Sequence, residues 1–201
     1  MKKNNNKPVS IYQFKVTLNH VTPSIWRRFQ VRSDVALYRL STTILLVMDW
    51  DGGHLHQFRI GEVEYGIPHE DYEEDNQPED EREIILSDIP QEALKKFTYE
   101  YDFGDGWEHT VVLEKVLESE KGVKYPVCLE GARSCPPEDC GGPHGYEDFL
   151  EAIKNPKHPE HESMLEWIGG EFDPEEFDLD GINHDLKHID EEEKFFDGED
   201  E

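Results

Sequence analysis

Three stretches of this 201-residue chain carry side chains whose type and spacing can do chemistry. The first is the loop at 131–145, which holds Cys135, Pro136-Pro137, Glu138-Asp139, Cys140, Gly141-Gly142 and His144. Four residues separate the two cysteines and three separate Cys140 from His144, gaps that suit a tetrahedral zinc ion with Cys128 or His109 as a fourth ligand. A metal there would order a loop too polar to pack alone. No CxxC pair is present and the prolines stiffen the segment between the cysteines, so the competing reading is reduced cysteines packed under a turn-rich loop. The second stretch is His54-Leu55-His56, where strand alternation turns both imidazoles to one face and one ion. The plainer alternative is a pair of half-buried or surface histidines.

The third stretch is Tyr99–His109, reading YEYDFGDGWEH. A two-residue turn at Asp105-Gly106 sets Asp102 opposite His109 across a hairpin. That register puts Glu100, Asp102, Trp107 and His109 on one face, and Tyr99, Tyr101 and Phe103 with Val112 on the other. A carboxylate that holds an imidazole sets its tautomer and raises its basicity, which suits a general base or a metal ligand. The structural alternative is a cross-strand charge pair over a tight turn, and turn glycines between aromatic strands favour it. A slip of one residue separates the pair. His54, His56, Asp102 and His109 together would serve a metal-dependent hydrolase, in which an open coordination position activates a bound water.

The elements that must position these groups follow from pattern. Ile11–Leu18 alternates, with Tyr12, Phe14, Val16 and Leu18 on one face, and predicts a strand. Thr22-Pro23 breaks it, and Ile25–Val31 predicts a second strand. Ser33 or Asp34 can cap a helix with Leu37, Leu40, Ile44, Leu45 and Met48 on its apolar stripe, ending near Asp49–Gly53. Short strands follow at His54–Ile60 and Glu62–Tyr65. Pro68–Glu83 has nine acids in sixteen residues and predicts a solvated loop, since the calcium-loop spacing is absent. Ile84–Ile89 predicts a strand and Pro90–Lys96 a short helix. Lys124–Glu130 predicts a strand. Helices are expected at Tyr146–Lys154, His158–Ile168 and around Ile182–His188, before an acidic tail.

Composition bounds the partners. With 47 acids against 20 bases the formal charge is −27, although residues 1–33 hold seven Lys or Arg and no acid. Such a field opposes a phosphate backbone, whose binding depends on Lys and Arg replacing counterions, so direct nucleic-acid binding is not expected. The basic start can be read as a small nucleic-acid footprint, but docking on the acidic remainder is the expected reading. No stretch approaches the ~20 apolar residues that cross a bilayer. The opening MKKNNNK has no apolar run behind it, as a signal peptide needs. Three cysteines argue against a disulfide framework, and a reducing cytoplasm fits best.

PSIWRR at 23–28, DWDGGHLHQF at 49–58, YEYDFGDGWEH at 99–109 and SCPPEDCGGPHGYEDFL at 134–150 occur in one order. In this the chain resembles the plasmid pRiA4b ORF-3-like family, from about Ile11 to Lys187. The resemblance implies an α+β fold, roll-like, with a largely antiparallel sheet covered by helices. It divides the chain into a flexible start at 1–10, a single domain at 11–188 with the acidic loop at 68–83, and a disordered tail at 189–201. Members of the family occur on plasmids and mobile elements, and some carry a resolvase-like label, but the family brings no established activity. A recombinase must hold duplex DNA, which this charge opposes, and no basic recognition helix is evident. The expected function is an accessory or binding protein for an unknown protein or small molecule, with zinc at Cys128, Cys135, Cys140 and His144. The hydrolase is one alternative. Another is an acidic decoy that covers the nucleic-acid surface of a basic partner.

Overall fold

A computed structural model describes residues 9–69 and 77–191. The alternating segments form eight strands: β1 (Ser10–Leu18), β2 (Trp26–Arg32), β3 (His56–Ile60), β4 (Val63–Gly66), β5 (Glu79–Asp80), β6 (Lys96–Tyr101), β7 (Trp107–Glu118) and β8 (Val127–Ala132). They make one open sheet in the order β5-β4-β3-β6-β7-β1-β2-β8. Every pairing is antiparallel except that of β4 with β5. The helices are α1 (Leu37–Met48), α2 (Gln91–Leu94), α3 (Gly142–Lys154), α4 (His161–Trp167) and α5 (Leu179–Leu186). None is long and apolar enough to cross a membrane among the described residues.

The two faces of the sheet differ because the side chains alternate. Phe14, Val16, Leu18, Phe29, Val31, Phe58, Tyr99, Tyr101, Trp107 and Val111 face the core and are buried. Helix α1 covers them with Leu37, Leu40, Ile44, Leu45, Val47 and Met48. The other face is polar. There Arg28 grips Glu114 at 2.7 and 2.9 Å and also meets Glu130, while Gln13 donates to Glu114 and accepts from Gln30. One apolar and one wet face make this an α+β protein with a single core.

Several local expectations change. Helix α1 has no side-chain cap: its N-cap is Ala36. Ser33 accepts from the Ser10 amide instead, and Asp34 pairs with Arg32. The first helical amides, Leu37 and Tyr38, donate to the carbonyls of Ile84 and Glu81, so a distant backbone satisfies them. The acidic stretch is not wholly a solvated loop, since Glu79–Asp80 extends the sheet and Glu81 is fully buried. Ile84–Ile89 forms no strand but an isolated bridge from Ile85 to Ala36 and a single 3-10 turn at Leu86–Asp88. Ile189 is buried and Asp190 meets Arg39 at 2.6 Å, so packing continues past residue 188. The expectations for residues 1–8, 70–76 and 192–201 lie outside the described residues.

Candidate functional site

The hairpin of β6 and β7 is present, but its register differs from the expected one. Tyr101 pairs with Trp107 and Tyr99 with His109, across a turn at 102–106. The cause is the side chain of Asp102. Its Oδ1 accepts from the amides of Gly104 at 2.9 Å and Asp105 at 3.3 Å, a turn that mimics backbone bonding. Asp102 itself lies in the left-handed region at φ 55°, with its carbonyl bound by the Gly106 amide. The strands therefore close lower down, and the faces exchange. Tyr99, Tyr101, Trp107 and His109 all point into the core, and Phe103 is exposed.

His109 is thus separated from Asp102. Its ring sits edge-on to Trp50 at 5.2 Å and near Tyr99 at 5.7 Å, with Nδ1 against the Tyr99 carbonyl at 3.2 Å. Burial pushes its pKa down to about 4, and Nε2 has no partner among the described residues. Walled by aromatics, this imidazole packs as part of the core, away from Asp102.

Asp102 has another partner. The segment after α1 brings His54 alongside, with Nδ1 3.8 Å from Asp102 Oδ1, and Nε2 lies 3.5 Å from Asp139 Oδ1. His54, Asp102 and Asp139 offer ligand atoms that all lie within 4.8 Å of one another. Asp102 is buried, His54 half-buried and Asp139 exposed, so the group opens to solvent on one side. Asp139 is left-handed too, at φ 57°. Asp102 Oδ2 makes no hydrogen bond or ion pair among the described residues and is available to a further partner.

Long-range packing holds these three segments together. Trp50 stacks on Tyr101 at 5.1 Å and donates from Nε1 to the Pro136 carbonyl at 3.0 Å, tying the segment after α1 to the cysteine loop. The Gly141 amide donates to Asp105 Oδ2 at 3.1 Å. Gly142, at φ 71°, presses so closely on the Asp105 carbonyl that a Cβ there would clash with it. Tyr101 donates its hydroxyl to Glu138 Oε1 at 2.5 Å. Partial burial, then a hydrogen bond and charge from Asp51, raise Glu138 to about 7 against the opposing effect of Tyr101. Burial and Glu138 together push the Tyr101 phenol far above its ordinary value.

The other expected ligands lie elsewhere. His54 precedes β3, so strand alternation does not apply to it, and His56 turns to Glu81 instead, with Nε2 to Oε1 at 2.8 Å. No three of Cys128, Cys135, Cys140 and His144 bring their ligand atoms together among the described residues. Cys135 accepts from Arg27 at 3.2 Å and contacts Met48 sulfur at 3.7 Å, deep in the core. Cys128 lies within β8, and His144 is exposed on α3. Burial raises Cys128 and Cys135 to about 11, and Cys140 to about 12. Spacing singles out neither Asp139, which meets His54, nor Asp51 and Glu138, which meet each other beside Tyr101. Their signal was only their place inside the two motifs that also hold His54 and the cysteines.

The molecule is therefore an α+β protein that gathers three loops, from three distant motifs, around one histidine and several carboxylates. It belongs to the plasmid pRiA4b ORF-3-like protein family, whose model matches residues 10–181. It is 41% identical over 161 residues to an uncharacterized protein, y4hQ, of Sinorhizobium fredii (strain NBRC 101917 / NGR234), covering 80% of this chain and 81% of that protein. Its fold is similar to the crystal structure of a protein of unknown function, MM3350, from Methanosarcina mazei Go1, with a TM-score of 0.79 and 37% identity. That likeness covers 87% of this chain and 97% of the other.

Proposed function

We propose that the chain is a cytoplasmic accessory protein that binds a divalent metal ion through His54, Asp102 and Asp139 and recruits a small-molecule or protein partner there. The observation that supports this is the convergence of one imidazole and two carboxylates, with Asp102 Oδ2 unoccupied. A donor set of one nitrogen and carboxylate oxygens suits zinc or manganese better than a thiolate-seeking ion. Three free cysteines support a reducing compartment. The net charge of −27 argues against direct nucleic-acid contact.

Titration of EDTA-treated protein with Zn²⁺ and Mn²⁺, followed by elemental analysis, tests the site. One ion per chain is expected, bound at least about tenfold more weakly in Asp102→Asn, which keeps the turn hydrogen bonds and removes the charge. Cys135→Ser and Cys140→Ser should leave uptake unchanged. Absence of uptake, or its loss in the cysteine variants instead, rejects the site. A metal-dependent hydrolase is the second reading. It is favoured by the three ligands on an open side found among the described residues, which leave positions for water. A hydrolysis screen of the metal-loaded protein separates the two.

A further inference from the structure

A cavity of about 370 Å³ lies between the cysteine loop, α3 and α4. Part of its wall is apolar. Phe149 of α3 is buried there, Trp167 of α4 stands edge-on to it at 5.7 Å, and Met164 lines the cavity as well. Trp167 is 47% exposed, Met164 is half-buried, and no residue of α4 is buried. The apolar side chains of this helix therefore keep contact surface that the fold does not fill.

Three carboxylates stand in the same wall, each from a different segment: Asp139 from the cysteine loop, Asp148 from α3 and Glu160 just before α4. No Lys, Arg or His lines the cavity among the described residues. By contrast, Arg39, Arg27, Arg82 and Arg28 each stand in the wall of another cavity. The side chains of Asp148 and Glu160 make no hydrogen bond or ion pair among the described residues. An anion finds no donor side chain of opposite charge here, and a neutral apolar ligand would leave the carboxylates unanswered.

The three carboxylates do not converge on one point. Among the described residues, only His54, Asp102 and Asp139 bring three ligand atoms within 4.8 Å of one another. A single compact metal ion is thus not held by Asp139, Asp148 and Glu160 together. A flexible chain with several positive charges spaced along it can meet them one after another. Its hydrocarbon stem suits Met164 and Phe149, and an ammonium group over the Trp167 ring is attracted by the ring face.

We propose that this cavity binds a small aliphatic polyamine, whose ammonium groups pair with Asp139, Asp148 and Glu160 and whose stem lies on Phe149, Met164 and Trp167. Such amines are protonated at neutral pH, as lysine is. The reading goes beyond the ion at His54 and does not depend on it.

Calorimetric titration of the EDTA-treated full-length protein tests this at about 0.15 M salt, where exposed charges are screened beyond about 8 Å. Spermidine should bind one-to-one. Butylamine, with a similar stem but a single charge, should bind at least about tenfold more weakly. Trp167→Leu keeps every charge and should weaken spermidine about tenfold, which adsorption to an acidic surface would not show. The double variant Asp148→Asn with Glu160→Gln should weaken it by a similar factor. These side chains are exposed, and urea unfolding checks that both variants fold. Neither variant touches His54, Asp102 or Asp139, so the two sites are tested apart. If spermidine does not bind one-to-one, or binds both variants like the parent, the inference falls. It also falls if butylamine binds as tightly as spermidine, or if an acetylated trilysine peptide binds through these residues and spermidine does not.

Discussion

His109 provides the sharpest test of the fold. Its imidazole is fully buried among Trp50, Tyr99 and Trp107, and burial lowers its pKa from 6.5 to about 4. Below pH 6.5 the unfolded chain takes up a proton that the folded chain refuses, so unfolding gains free energy as the pH falls. The contribution of His109 is therefore fully present above pH 6.5 and is lost as the pH falls toward about 4. With those two values, roughly 2 to 3 kcal/mol is lost between pH 7.5 and 4.5. His109→Phe removes the titration and keeps an aromatic ring in the same place. It loses the bond to the Tyr99 carbonyl but also an unpartnered Nε2, so the variant should lie within about 1 kcal/mol of the parent at pH 7.5. Urea unfolding of both proteins across this range isolates the effect, because the carboxylates titrate alike in each and cancel in the difference. The variant should gain roughly 2 to 3 kcal/mol on the parent by pH 4.5. Parallel stability curves would refute the buried placement, and with it the register of the hairpin.

Gly142→Ala should cost about 2 kcal/mol or more in thermal or urea unfolding, because φ is positive there and the added methyl meets the Asp105 carbonyl. Trp50→Phe should cost about 1–3 kcal/mol through the unpaired Pro136 carbonyl and lost packing, whereas the half-exposed Trp167→Phe should change stability by no more than about 0.5 kcal/mol. All three thiols should react slowly with a disulfide reagent at pH 8 in the folded protein and quickly in urea, since burial holds them at about 11 to 12. Fast reaction of one thiol without denaturant would contradict its placement.

Most of the sheet was legible because alternation is a local signal. Tyr12, Phe14, Val16 and Leu18 turn inward as their spacing predicts, and the stripe of α1 is buried from Leu37 to Met48. What failed depended on partners far away in the chain. Glu81 looked like one more acid in a solvated run, yet it is buried against His56, 25 residues earlier. Ser33 and Asp34 are the local candidates to cap α1, but the carbonyls of residues 81 and 84 satisfy the helix. The cysteine spacing was compatible with zinc, but spacing does not fix direction: Cys135 turns to Arg27 and Met48, and Cys128 lies in the sheet.

In the hairpin, one turn sets the place of both a core and a site. Asp102 two residues before Gly104 is itself a turn signal, because an aspartate side chain can bond the amide two residues on. Counting that turn lengthens the loop to 102–106 and changes the parity of the register, since side chains alternate with period two. His109 then goes inward with Tyr99 and Tyr101. Asp102 leaves the ladder in a left-handed conformation and meets His54 and Asp139 instead. The same bond from Gly104 to Asp102 thus makes His109 a core residue and Asp102 a site residue. Asp102→Ala should perturb both, destabilising the hairpin and weakening ion uptake, while Asp102→Asn should keep the turn and weaken only the ion uptake. If Asp102→Asn unfolds the hairpin as readily as Asp102→Ala, charge rather than the turn bond sets the register.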